Sequence, residues 1–321
     1  MAAMRRTRRP HRQRGAALLV ALIIVTLVVT LAASMVWQQW RAVQVEAAER
    51  ARMQSSWILQ GALDWARLIL REDARSGRPT ALTEPWATPL AEARLSTFLA
   101  ADKNASSDDG PDAFLSGAIT DAQARYNLTS LLDAGGKVVP AEVEALERLC
   151  QTVGLSGDLA GRIAAGLRDA QGGAPQGGGT APLRPRSLAQ LTWLGIEAST
   201  IATLEPYVTL LPVRTPVNAN TASREVLAAV IKGLDLATAE RLVQLRQRDP
   251  FKTLAAVEAQ IPGLGPLNGQ QVSVVSSFFE VRGRLRLDDR VLEQRSLVER
   301  RGLDMLVLMR EQVSTVEGLR S

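Results

Sequence analysis

The side chains that most often carry chemistry are scarce in this 321-residue chain, and their positions limit what it can do. Its single histidine is His11 and its single cysteine is Cys150. With no imidazole after residue 11, the rest of the chain cannot assemble a Ser-His-Asp triad, a Cys-His pair or a zinc site with histidine ligands. Cys150 has no partner for an intrachain disulfide. It falls in an apolar-periodic run (Val143, Leu146, Leu149, Val153) that reads as a helix face, so we expect a small buried hydrophobe rather than a reactive thiol. Oxygen ligands gather at Asn104, Asp108, Asp109 and Asp112. There, however, Gly110 is displaced from the EF-hand glycine position and Leu115 stands where the bidentate glutamate belongs, so the residues read as a solvated acidic loop. Gly263-Leu264-Gly265 follows no buried strand and lacks the lysine of a phosphate-binding loop. No enzyme is expected, and no cofactor is required.

The elements that would hold these residues begin with a membrane segment. The net charge is +5, but Arg5, Arg6, Arg8, Arg9, Arg12 and Arg14 lie in the first fifteen residues with no acid among them. Setting those six aside leaves 32 basic against 33 acidic residues, so the basicity belongs to a leader. Ala16 to Trp37 carries no charge, and about 20 residues at ~1.5 Å each span a ~30 Å hydrocarbon core. Arginines directly before it place the leader in the cytoplasm and everything beyond outside it. A plain anchor, a secretory signal cut after Ala32-Ala33-Ser34 and a retained assembly helix compete for this segment. The run continues in helix formers without Pro or Gly to Gln60, with Ile58, Ala62, Trp65 and Ile69 on one face. A helix from Ala16 to about Ser76, ended by Gly77-Arg78-Pro79, would be roughly 90 Å long.

Beyond it, a short helix is expected over Ala91–Ala101 and an extended segment from Gly117 to Tyr126-Asn127-Leu128. At the far end Phe279, Val281, Leu285 and Leu287 alternate with Glu280, Arg282, Arg284 and Arg286, the period of a half-buried strand. A turn at Asp288-Asp289, a strand over Arg290–Arg301 and another over Leu303–Glu311 complete an antiparallel meander. Between these lies an α-helical insertion, 138–275, with an internal repeat. Gly154 to Ala170 is similar to Gly233 to Asp249. Each is followed by a second hairpin, one through Ser187-Leu188 and Gly195, the other through Thr253-Leu254 and Gly263-Leu264-Gly265. Gly172–Thr180 reads as a surface loop inserted in the first copy.

Two motifs resemble known families. Val217-Asn218-Ala219-Asn220-Thr221-Ala222 is similar to the start of helix-hairpin-helix domains of DNA-binding proteins. Thr215 to Ser277, however, holds six basic and five acidic residues, too few cations for phosphate contacts. Arg12-Gln13-Arg14-Gly15 before Ala16-Ala17-Leu18-Leu19-Val20 resembles a type IV prepilin leader. Val20 at the fifth mature position, where pilins carry glutamate, resembles the K subunit of the type II secretion system, as do the length, the Tyr-Asn-Leu segment, the tandem insertion and the terminal sheet.

The resemblance implies an α+β, type IV pilin-like fold: a transmembrane helix packed on an antiparallel sheet, with a large all-α insertion of tandem helix-hairpin-helix-like units. It implies residues 1–15 as a cleaved leader and 16–76 as transmembrane helix and periplasmic stalk. Residues 77–137 and 276–321 would form the α+β domain, and 138–275 the insert. Prepilin peptidase would cut between Gly15 and Ala16, with methylation of the new terminus. The function implied is that of a non-enzymatic minor pseudopilin at the pseudopilus tip, helping to initiate its assembly and to export folded proteins. It would sit in the bacterial inner membrane as a single-pass protein, with a cytoplasmic N-terminus and a periplasmic C-terminal domain. Partners would be I-type and J-type minor pseudopilins and other pseudopilus and inner-membrane secretion subunits. Calcium in the globular region is implied without ligands, the weak candidates being Asp108, Asp109 and Asp112. The alternative is a membrane-anchored DNA receptor of the competence type.

Overall fold

The computed structural model describes residues 13–95, 113–172, 182–287 and 290–316. The chain divides into two compact units, Met1–Ile58 and Leu59–Ser321. The described part of the first is helix: α1 runs from Gln13 to Ser76 without a break, and its residues from Leu18 to Val45 leave most of their large apolar side chains exposed. Gly77, at φ 63°, stops the helix where the sequence places the stop, because left-handed backbone is open to glycine at little steric cost.

The second unit joins a sheet layer to a helical one. Five strands, β1 (Leu90–Arg94), β2 (Ala113–Asp121), β7 (Phe278–Leu287), β8 (Arg290–Arg301) and β9 (Asp304–Val316), pair antiparallel in the order β1-β2-β7-β8-β9 among the described residues. The meander is the one its alternation predicts; Asp288-Asp289 lies outside the described residues. Leu63, Ala66 and Leu70 of α1 pack on Ile119, Phe279, Val281, Val298 and Met305 of the sheet, with Trp86 closing the end of this core. Burying each such leucine contributes roughly 1.5–3 kcal/mol. Glycines on the strands let the layers approach. A Cβ on Gly283 would stand 3.1 Å from Leu59 Cδ2, and one on Gly117 would stand 2.8 Å from the Arg282 carbonyl oxygen.

The packed stripe of α1 differs from the expected one. Leu59, Leu63, Ala66 and Leu70 are buried, whereas Trp65 is 54% exposed. Each buried residue follows an expected one, a rotation of about 100°. Polar clamps set that roll: Arg67 Nε donates to the Met305 carbonyl at 2.9 Å and Arg71 Nε to that of Leu303 at 3.1 Å. The expected helix over Ala91–Ala101 is corrected at its start only. Ala91 to Arg94 belong to strand β1, because Leu90, Ala93 and Arg94 pair with Gly117, Leu115 and Phe114, and tertiary pairing overrides the helix preference of an Ala-rich run; Leu95 is helical, and residues 96–101 lie outside the described residues.

The helical layer holds a separate core. Helix α2 (Pro140–Thr152) begins with proline in its first turn, where the missing N–H costs nothing. Next come α3 (Asp158–Ala170), a 3-10 helix over Leu188–Leu194, α4 (Ala198–Leu204), α5 (Arg224–Val230), α6 (Leu236–Arg248) and α7 (Leu254–Glu258). The repeat is visible in the pairs α2-α3 and α5-α6, each joined through a left-handed glycine, Gly154 at φ 79° and Gly233 at φ 86°. Asp235 caps α6 by accepting from Thr238 N at 2.8 Å. The second copy is incomplete. The 3-10 helix leads through Gly195 to α4, but after α7 and Gly263 the described residues form no further helix before β6 (Val272–Ser273). Pro266 directly after Gly265 carries no N–H for a helical bond beyond a first turn, and Val272-Ser273 instead pairs parallel with β5 (Val217–Asn218).

Candidate functional site

Two sequence motifs meet where the sheet gives way to the helices. The first, Asp121 to Leu128, leaves β2 through a 3-10 turn capped by Asp121 and enters the two-residue strand β3 (Tyr126–Asn127), which pairs parallel with β4 (Val208–Thr209). Tyr126 Oη donates toward the Glu142 carboxylate and lies equally 3.0 Å from its carbonyl, which binds β3 to α2. Burial, reinforced by the Glu142 charge, raises the phenol well above its ordinary pKa, so it stays a donor. Asn127 uses both ends of its amide: Nδ2 donates to the Val213 carbonyl at 2.7 Å, while Oδ1 accepts from Thr129 N and Leu211 N, both at 3.1 Å. Asparagine is the residue that can bridge an acceptor and two donors in this way.

The second motif supplies the partner side. Asn218 Nδ2 reaches the Thr80 carbonyl and Asp121 Oδ2, each at 3.0 Å, and Ser276 Oγ at 2.9 Å. Thr221 Oγ1 and Ser276 Oγ both donate to Asp121 Oδ2 at 2.6 Å, and Gln123 N donates to Oδ1 at 2.8 Å. Asn220 pairs with the backbone of Phe251, donating to its carbonyl and accepting from its N–H, both at 2.9 Å. The polar side chains of the Asn-Ala-Asn-Thr motif are buried and engaged inside the protein. These side chains therefore serve internal packing rather than phosphate contact. Burial raises the Asp121 pKa even against these hydrogen bonds.

A third carboxylate, Glu280 of β7, is held by Arg282 at 2.7 Å, Arg125 at 2.8 Å and Arg295 at 3.0 Å. Burial alone would raise its pKa, but the Arg125 and Arg282 guanidinium groups outweigh it and hold the carboxyl below the ordinary glutamate range. Sequence reasoning missed Asp121 and Glu280 as anchors. The only visible signal was a carboxylate at a position whose neighbours along the strand face the core.

In α1, Gly15 and Ala16 are both helical and Val20 is exposed on the apolar surface. The hydroxyls in that run bond back to the helix: Thr26, Thr30 and Ser34 donate to the carbonyls of Ile23, Leu27 and Leu31 at 2.9, 2.9 and 2.7 Å. They therefore carry no unsatisfied donor into an apolar medium. Trp37 and Trp40, 5.7 Å apart between ring centroids, mark the end of the run, as interfacial aromatics do. Cys150 is fully buried, and burial pushes its thiol up to about 11, in keeping with an inert core residue. Asp108, Asp109 and Asp112 lie outside the described residues. Among the described residues no three His, Cys, Asp or Glu side chains gather into a group that could hold a metal ion.

Comparison with known proteins bears on these same segments. Two family models, both described as type II secretion system (T2SS), protein K, match residues 124–213 and 217–275, the regions that carry the two motifs. Over these residues the chain is similar to type II secretion system protein K. Relatives described as type II secretion system protein K include one from Pectobacterium carotovorum subsp. carotovorum, 29% identical with 94% of this chain and 96% of the relative covered. Those from Klebsiella pneumoniae (29%, covering 94% and 96%) and Pseudomonas aeruginosa PAO1 (28%, covering 87% and 86%) are similar. Among solved structures, the GspK-GspI-GspJ complex from the enterotoxigenic Escherichia coli type 2 secretion system contains a chain with the same fold. Its TM-score is 0.64 at 20% identity, covering 84% of this chain and 99% of that one. In this chain the junction at Asp121 is a device of construction: it joins the helical insert to the sheet that α1 lies on.

Proposed function

We propose that the chain is a non-enzymatic minor pseudopilin at the tip of the type II secretion pseudopilus, helping to start its assembly and to export folded proteins across the outer membrane. The observation that carries this reading is the match of both protein K models to the helical insert, within relatives that span 94% of the chain. The fold is then pilin-like, and its repeated helix-Gly-helix units are helix-hairpin-helix-like modules used for packing. Residues 1–15 are a cytoplasmic leader removed by prepilin peptidase between Gly15 and Ala16, with methylation of the new amine. From Ala16, α1 anchors the chain once in the inner membrane, and the unit from Leu59 onward lies in the periplasm. I-type and J-type pseudopilins, counterparts of the GspI and GspJ chains in the solved complex, are the expected partners. They would pack along α1, where Trp57 and Leu68 remain exposed. Calcium, taken over from the family resemblance, has no assigned ligands; Asp108, Asp109 and Asp112 are its weak candidates.

The cleavage test is direct. N-terminal sequencing of protein extracted from membranes should begin at Ala16, and replacing Gly15 by a bulky residue should leave the leader attached. A start at Met35, from secretory cleavage after Ser34, would overturn the reading. Cells lacking the chain should retain secreted proteins in the periplasm, and the I-type and J-type subunits should co-purify with the wild-type chain.

A further inference from the structure

Where α1 ends, three charged side chains meet with one charge too many. Asp73 Oδ2 accepts from Arg300 Nη1 at 2.8 Å, and the two side chains are 5% and 11% exposed. Asp73 Oδ1 is buried with no hydrogen-bond partner. Glu84 is also buried, and its Oε2 accepts from Trp86 Nε1 at 2.8 Å and Ala81 N at 3.2 Å. The charged groups acting on Asp73 are Glu84, from the segment after α1, and Arg300, from β8. Ser276 and Phe279, on the β7 side, are uncharged. Two carboxylates and one guanidinium leave a net negative charge in a site closed to water, beside a carboxylate oxygen that lacks a donor. A proton supplies both needs, because a protonated Asp73 carboxyl donates to Glu84 and cancels the excess charge.

We propose that the buried Asp73-Glu84 pair binds one proton, and that this proton secures the junction of the stalk helix with the sheet and the helical insert. The reach of the junction follows from Arg300. Its Nη2 donates to Thr80 Oγ1 at 2.7 Å and to the Ser276 carbonyl at 2.6 Å, while Thr80 N donates to the Val274 carbonyl at 3.0 Å, in the insert. Burial, then the Glu84 charge, raises Asp73 from an ordinary 3.8 to about 6. A raised carboxyl binds its proton more tightly in the folded state. The stabilisation is therefore complete below the ordinary aspartate value and is lost as pH rises through about 6. In that interval the unfolding constant changes by up to about ten-fold per pH unit for this one proton.

The test uses the full chain in detergent micelles. Infrared difference spectra should show a buried carboxyl band that appears on acidification with a midpoint near 6. The band should be absent from Asp73→Asn, shifted to a lower midpoint in Glu84→Gln and present in Asp121→Asn. Asp73→Asn places an amide N–H where the proton would sit, so at pH about 8 it should melt like the wild type at pH about 5, with little pH dependence between. Loss of the wild-type band, its survival in Asp73→Asn, or parallel melting curves for the two proteins would overturn the proposal. So would a rise in the wild-type melting midpoint on adding calcium at alkaline pH that Asp73→Asn abolishes, since the missing positive charge would then be a metal ion. If Asp73→Asn and Glu84→Gln fail to fold, persistence of the wild-type band in Asp121→Asn still decides the matter, and its loss there would overturn the proposal.

Discussion

A buried carboxylate in this protein is held in one of two ways, and the difference predicts how each responds to mutation and acid. Asp121 has neutral donors only: two hydroxyls, an amide and a backbone N–H. Asp121→Ala leaves those donors facing one another without an acceptor and should cost about 3 kcal/mol in chemical denaturation. Asp121→Asn keeps one acceptor, removes a buried charge and should cost clearly less. Glu280 is instead held by guanidinium groups that lower its pKa. Its contribution is present above the ordinary glutamate value of 4.5 and is lost as pH falls through the lowered one. The stability gap between wild type and Glu280→Gln should therefore narrow in an acid titration, and a gap that widened toward low pH would contradict the ion-pair account. At this scale the sequence was informative where a motif had a name, as with Tyr126-Asn127-Leu128 and Asn218-Ala219-Asn220-Thr221. It was silent on Asp121, Asp73 and Arg300, whose partners are set by the fold rather than by spacing; Asp73 and Arg300 lie 227 residues apart.

Elements were legible to the extent that their periodicity was local. The terminal meander follows from strict alternation, and α1 ends at Ser76 because the next residue is glycine. Three readings failed at the point where packing, not pattern, decides. The buried stripe of α1 lies one residue beyond the expected one, since Ile58-Leu59 and Ile69-Leu70 offer two adjacent apolar lines, and the side with the Arg67, Arg71 and Asp73 contacts to the sheet is the one that packs. Strand β1 is recruited by its neighbour β2. The second repeat stops after α7, where Pro266 and the pairing of β6 with β5 take over. The close approach of layers gives a graded prediction. An alanine at Gly117 would press its Cβ into backbone, the Arg282 carbonyl at 2.8 Å, whereas one at Gly283 meets the mobile end of Leu59 at 3.1 Å. Gly117→Ala should destabilise by about 1–3 kcal/mol and Gly283→Ala by less, measured as paired denaturation midpoints.

In the whole molecule, Val20 and the bulk of the insert decide where in a filament the chain can stand. In an array of pilin-like helices, the glutamate expected at the fifth mature position meets the positive amine of a neighbouring subunit, which offsets the cost of holding either charge in a low-dielectric bundle. Valine, exposed on α1, cannot neutralise a neighbour's amine. Its absence of charge is harmless only where no subunit stands ahead, and the end of a filament is the place with that property. The helical insert agrees. The two matched segments together run from 124 to 275, a mass that would obstruct subunits stacked above it along a shaft. The expected outcome is a terminal, low-copy subunit. Quantitative mass spectrometry of isolated pseudopili should find it at a small fraction of the major subunit, and comparable copy numbers would refute a tip position. A Val20→Glu variant sharpens the point: if the position is merely vacant at the tip, the added carboxylate has no amine to meet, remains protonated in the bundle at modest cost, and should leave secretion partly intact.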